Sequence, residues 1–294
     1  MLEDATKILS AHWVSMLRSG VIPWLDLWRS GQPANLLTGE PYTGINALIL
    51  GISPFKSPYW ISESQCEFKR VRLPSKSPAF LTIHRRVLEE IIPRHKPWDP
   101  PLHRVLPSFG VIKTFNFDTI RGIPDPGPPA ARLAPKNPVE FCEKIIRYMP
   151  RPPRLKHDRR CKHARYVLSK DVVLTPPPGL YKQAGVYYAT LFHELIHSTG
   201  HQSRLGRQSI EEISSINEKR YTLEELVAEI GGAALCWIGG IPVLAPDAPE
   251  QARVQWLDCL TKNPQLVLAG LGQAAAAVHY VTGALGFHLA REAA

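Results

Sequence analysis

Between residues 3 and 19 the apolar positions Ala5, Ile8, Leu9, Trp13, Met16 and Leu17 recur at three- and four-residue intervals, which predicts a helix with one buried face. A turn-rich stretch follows from Asn35 to Asn46, with Thr38, Gly39, Pro41 and Gly44 as breakers. Short β-type runs stand at 59–61, 79–83 and 110–117. The segment 123–138 contains six prolines and reads as a linker. Beyond it the pattern predicts a helix at about 139–148, two short strands at 165–168 and 171–174, a helix through His197 closed by Gly200, another opening after Thr222, and an Ala-rich helix around 264–282. No internal repeat is visible. The expected fold class is α+β in two domains: a mixed domain at 1–122, the linker at 123–138, and a second domain at 139–294.

The helix ending near Gly200 contains His193-Glu194-Leu195-Ile196-His197. Four residues separate the histidines, so a helix stacks both imidazoles on one face about one turn apart. Two neutral imidazoles so placed can share one Zn²⁺, or a similar divalent ion such as Mn²⁺, and Glu194 can reach water at the ion as a general base. The flanks Ala189, Leu191, Phe192, Leu195 and Ile196 suit a buried helix.

A third ligand is available after Thr222, an expected N-cap with Glu225 three residues on, the pattern of a capping box. Glu225 and Glu229 share a face with the small residues Ala228 and Gly232, which permit close helix approach. The arrangement resembles the gluzincin type of zinc site. That resemblance makes Glu225 the ligand and Glu229 the acid that holds a histidine ring N–H; the reverse, Glu229 as ligand, stays open. Glu224 fits a solvated helix-start charge best. A metzincin site is excluded: Gly200 is in place, but Ser203 stands where the third His is needed, which leaves His201 as a loop residue. Cys161-Lys162-His163 has no partners to complete a metal site. Tyr221 is a candidate for stabilising an oxyanion.

The net charge of +9 is unevenly spread. Residues 1–170 hold 27 Lys and Arg against 14 Asp and Glu, and residues 171–294 hold 8 against 12. A basic part joined to an H-E-x-x-H part suggests a polyanion-binding module beside a metal-dependent one. Eight of the 27 basic residues lie at 151–170, past the linker. Five cysteines without C-x-x-C argue for reduced thiols and a cytoplasmic setting. No run of eighteen apolar residues and no signal-type start is present, so no membrane partner is expected. Aromatic and basic residues alternate in the N-terminal half, the mixture that stacks bases and tracks phosphates of single-stranded nucleic acid. Trp24 and Phe80 read as core whatever the function.

Pro23-Trp24, Trp28, Asn35, Thr38-Gly39 and Tyr42-Thr43-Gly44-Ile45-Asn46 together resemble the N-terminal signature of the plasmid antirestriction ArdC family, and Phe115-Asn116-Phe117-Asp118 a later motif of it. The runs 187–197, 199–205 and 224–230 resemble the family's zincin-like metallopeptidase domain. The likeness covers roughly residues 10 to 280, with both halves in the expected order. It implies a bacterial, plasmid-encoded protein that binds single-stranded DNA regardless of sequence and protects incoming DNA from restriction during conjugation. It also implies a divalent ion on His193, His197 and Glu225, with Glu194 as base, and a protein substrate for hydrolysis. With the aromatic–basic mixture, it makes Trp28, Arg29, Tyr42, Asn46, Lys69, Arg70, Arg72, Arg85 and Arg86 the candidate DNA contacts. Two departures stand out: Glu67 to Pro74 replaces a Gly- and Lys-rich stretch of the family, and Ser198 stands where Trp is usual. The rival reading is a DNA-coating protein whose ion only staples two helices. A nuclease or primase reading is disfavoured, because no acidic cluster capable of two-metal chemistry stands in the basic half.

Overall fold

The computed structural model describes residues 2–73, 77–92, 102–127, 135–210, 222–243 and 249–283, with backbone alone for 2, 4, 5, 85–92 and 102–109. Helix α1 (Leu2–Arg18) buries Leu9, Trp13 and Leu17, spaced four apart as the sequence required. A single 3₁₀ turn at Pro23–Asp26 then places Trp24 inside. Next come β1 (Ala34–Asn35), α2 (Gly44–Gly51), β2 (Tyr59–Ser62), α3 (Glu63–Lys69), β3 (Phe80–Ile92) and β4 (Leu102–Asn116). The strands form one sheet in the order β1-β2-β4-β3, antiparallel except for β1 beside β2.

The second half holds α4 (Pro138–Tyr148), β5 (Arg154–His157), β6 (Arg165–Val167), β7 (Val172–Thr175), α5 (Ala184–Ser198), α6 (Leu223–Gly239), α7 (Pro249–Lys262) and α8 (Gln265–Thr282). Its three strands run β5-β7-β6, with β7 parallel to β5 and antiparallel to β6. The α+β class and the site-bearing helices follow the sequence expectation. Five elements were not anticipated, the two-residue strand β1 at the start of the turn-rich stretch being one. Helix α2 is apolar nearly all round, so it carries no amphipathic stripe to read. Helix α3 has a full capping box between Ser62 and Gln65, a legible signal behind a short turn-like run. Strand β5 is exposed at all four residues and shows no alternation. Helix α7 buries only Ala252, Trp256 and Leu260 among polar neighbours. Helix α5 stops at Ser198, before Gly200. Gly200 serves close packing instead: a Cβ there would lie 2.9 Å from Cβ of Ile210.

One hydrophobic core runs through both halves. Trp24 meets Trp256 edge-on at 5.4 Å between ring centroids, and Trp28 meets Trp237 at 4.6 Å. Arg253 on α7 donates to the carbonyl of Leu17 at the end of α1. Within the 123–138 segment, residues 128–134 lie outside the described residues. A smaller cluster of Ile61, Cys66, Phe115 and Ile120 fastens α3 to the first sheet. No helix among the described residues is long and apolar enough to cross a membrane.

Candidate metal centre

Helix α5 presents His193 and His197 one turn apart, with centroids 4.7 Å apart and rings nearly perpendicular. Helix α6 crosses it closely. A Cβ added at Gly232 would lie 3.4 Å from Cα of His193, and one at Gly231 would lie 2.9 Å from Cδ1 of Ile196. The tight approach thus falls at Gly231, which the sequence reading passed over, while at the expected Gly232 a Cβ would make an ordinary contact. Thr222 caps α6 by accepting from the Glu225 amide at 3.3 Å, which puts Glu225 in the first turn facing α5.

The ligand-type atoms of His193, His197 and Glu225 lie within 4.8 Å of one another. Nε2 of the two histidines are 3.1 Å apart, and each lies 3.6 Å from an oxygen of Glu225. Donors about 2.0–2.1 Å from a tetrahedral ion stand about 3.3–3.4 Å from each other, so three corners of such a site are already in place. Burial works against a charged His193, but the hydrogen bond and charge of Glu225, with the charges of Glu194 and Glu229, outweigh it and raise His193 to about 9. The site thus favours a cation. Glu229 is half-buried and contributes charge; it is not among the converging donors.

Glu224 departs most from the sequence expectation. It is completely buried, not a solvated helix-start charge. Its Oε1 lies 3.3 Å from Nδ1 of His197, so Glu224 stands at the His197 ring, the place that the resemblance gave to Glu229. Arg207 donates to both Glu224 oxygens, through Nε at 3.0 Å to Oε2 and through Nη2 to Oε1, and Ser209 Oγ donates at 2.7 Å. Burial pushes the Glu224 carboxyl up, but the bonds from His197 and Arg207 hold it below the ordinary carboxylate range. Arg207 also donates to the carbonyl of Ile196 at 2.9 Å, locking this network to the end of α5.

Glu194 is buried, and its Oε2 accepts from the Tyr166 amide of β6 at 2.6 Å. Arg204 braces that strand: it donates to the carbonyl of Ser198 at 2.6 Å, to Tyr166 Oη at 3.1 Å and to Asp171 Oδ2 at 3.1 Å. His201 pairs with Ser203 Oγ at 2.8 Å in the loop, as expected of a loop residue. The thiol of Cys161 donates to the carbonyl of His163 at 2.7 Å, a local turn contact. Tyr221 lies outside the described residues.

Residues 3–72 match the family model for the N-terminal domain of the anti-restriction factor ArdC, and residues 153–276 match that for a zincin-like metallopeptidase. The chain thus joins an ArdC-type N-terminal domain to a zincin-like metallopeptidase domain. It is also similar to two crystal structures of the antirestriction ArdC protein from the R388 plasmid. The metal-free one is 24% identical, with a TM-score of 0.65 over 93% of this chain and 94% of that one. The Mn(II)-bound one is 23% identical, with a TM-score of 0.66 over 98% of each. A DNA primase TraC of Escherichia coli is 28% identical over 273 residues, which is 85% of this chain; the chain spans only 24% of that primase's length.

In the ArdC N-terminal domain most of the signature residues act as internal pins. Asn35 Oδ1 accepts from the amides of Leu37 and Thr38, forming the turn. Asn46 donates to the Ile83 carbonyl at 2.8 Å and accepts from the Ile83 amide at 2.7 Å, so its amide is spent on β3 and is corrected from a DNA contact to a strand clamp. Trp28 is corrected likewise: it is buried against Trp237, and its Nε1 donates to the Ala47 carbonyl at 2.8 Å. Tyr42 is half-buried against the core. Arg29, Lys69, Arg70 and Arg72 are exposed. Arg85 and Arg86 lie on β3 opposite Phe109 and Ser108, with side chains outside the described residues. Phe68, one of the alternating aromatics but not among the candidate DNA contacts, is 80% exposed with Lys69 Nζ 5.5 Å from its ring centroid. An aromatic at the end of a helix, between Glu67 and Lys69, was the available signal.

Proposed function

We propose that this chain is an antirestriction protein that binds single-stranded DNA through its N-terminal domain (within 1–122) and carries a divalent-metal, metallopeptidase-type site in its C-terminal domain (within 139–294), the two joined through 123–138. The observation that carries the second part is the convergence of His193, His197 and Glu225 beside the buried Glu194. Zn²⁺ or Mn²⁺ fits this donor set, and a bound ion would supply Lewis-acid polarisation of a carbonyl. The protein's own groups supply the rest. Glu224 fixes the His197 ring, Arg207 keeps Glu224 charged, and the Tyr166 amide aims Glu194 so that its other oxygen can take a proton from water and return it to a leaving amine.

For DNA, Phe68 offers the exposed ring on which a base stacks, with Lys69, Arg70 and Arg72 placed for neighbouring phosphates. The buried tryptophans contribute rigidity. A second reading has support in the Tyr166–Glu194 bond: Glu194 also ties β6 to α5, so an ion here could act as a structural staple in a DNA-coating protein. Plasmid transfer into a restricting host, with wild type compared with Glu194→Gln, separates the two. If hydrolysis carries the protection, Glu194→Gln loses it while metal content and DNA affinity hold, since the proton transfer removed is worth about 10²–10⁴-fold in the rate of the chemical step. Full protection by Glu194→Gln shows that coating suffices and takes hydrolysis out of the protective mechanism. Absence of single-strand binding by the wild-type chain would remove the DNA part.

A further inference from the structure

Residues 151–170 hold eight Lys and Arg against one acid, Asp158, and so account for +7 of the chain's +9. This concentration lies in the zincin-like half, outside the ArdC N-terminal match. Arg154, Lys156, Arg159, Arg160, Lys162, Arg165 and Lys170 are all exposed. Among the described residues only Arg160 of these forms an ion pair, with Asp158 at 3.5 Å.

Sheet register sorts the charges by face. Tyr166, Val173 and Leu155 stand opposite one another across the three strands, and the buried Tyr166 and Val173 face α5. On β5 His157 points the same way as Leu155 and reaches Tyr187 Oη on α5 at 3.0 Å. Alternation therefore turns Arg154 and Lys156 to the outer face, where Lys156, Leu174 and Arg165 form a row across the sheet. With strands about 4.8 Å apart, that row puts two cations about 10 Å apart over an aliphatic floor.

We propose that this outer face is a second nucleic-acid surface that holds the phosphodiester backbone. The inference rests on the DNA-binding reading above and extends it to the other half of the molecule. An acidic peptide fits less well, because a peptide bound for His193 and Glu194 approaches the α5 face and the cations stand on the opposite one. The row carries no exposed aromatic ring, so it grips phosphates without stacking bases and does not distinguish single strands from duplex. The N-terminal domain supplies the preference for single strands, and this face supplies length and salt-dependent affinity.

The test uses the full chain with Arg154→Gln, Lys156→Gln and Arg165→Gln combined, titrated with labelled oligo(dT) and a duplex at several salt concentrations. Loss of three phosphate contacts lowers the log–log salt slope by about 2 for the single strand and weakens binding about 100-fold at 0.1 M salt; for duplex the slope falls by about 2.7. Phe68→Ala, the companion variant, removes single-strand preference and leaves the slope in place. An unchanged slope in the triple variant, with DNA binding intact, overturns this inference and spares the reading above. Duplex binding that the triple variant loses, in a chain with no single-strand preference, supports this surface and overturns that reading. If wild type binds neither DNA, or if the substitutions weaken poly-glutamate and not DNA, the surface is not a nucleic-acid site.

Discussion

Replacing Glu224 by Ala is the sharpest perturbation of the metal centre that leaves its three donors untouched. The carboxylate is wholly buried and serves His197, Arg207 and Ser209 at once. Its removal leaves the Arg207 guanidinium, itself 6% exposed, without its counter-charge. Breaking a buried pair from one side costs about 3–5 kcal/mol, far more than the few tenths expected for a solvated charge in a helix's first turn. Metal affinity falls as well, because the His197 ring loses the acceptor that fixes its tautomer, an effect of about 10–100-fold. Glu224→Gln keeps the volume but cannot accept from His197 and Arg207 as a carboxylate does, so it shows the metal defect with a smaller stability loss. Urea unfolding in the presence of EDTA reads stability alone, and chelator competition reads affinity. If Glu224→Ala unfolds at the wild-type midpoint and keeps its affinity while Glu229→Ala loses it, the network drawn here is wrong.

Phe68→Ala is expected to weaken single-strand binding by about 1–3 kcal/mol with no change in melting temperature. Trp28→Ala does the opposite, costing about 3–5 kcal/mol of stability; fluorescence titration and thermal melting together check both. Gly231→Ala forces a Cβ to within 3.0 Å of three Ile196 side-chain carbons, whereas at Gly232 the nearest contact is an ordinary 3.4 Å. The first should cost about 1–3 kcal/mol and weaken metal uptake, and the second should be tolerated, as unfolding and metal titration would show. Burial pushes the Cys142 and Cys236 thiols up to about 12, so both are protonated and shielded at pH 8. Iodoacetamide at that pH should label them only after unfolding, which mass spectrometry can follow.

The convergence of His193, His197 and Glu225 was legible because these residues stand at fixed helical spacing on two helices. Glu224 was not, since a helix-start acid has the same local sequence whether solvent or a buried arginine faces it. Its partner Arg207 sits 17 residues earlier in a loop, and only the fold brings them together. The tryptophans misled in the other direction. Trp28 stands beside Arg29 in sequence, yet its ring packs on Trp237 of α6, more than 200 positions away, and its Nε1 bonds to Ala47 of α2. Strand β5 was invisible because a strand paired on one side and fully exposed needs no apolar alternation.

The paired tryptophans also bear on how this protein can be rearranged. A chimera that exchanged one half for that of a distant relative would set Trp24 and Trp28 against surfaces shaped for other rings. Recombination at the proline-rich segment, the obvious crossover point in sequence, would therefore part both ring pairs from their partners. A viable swap must carry Trp237 and Trp256 with their partners, or redesign all four positions at once.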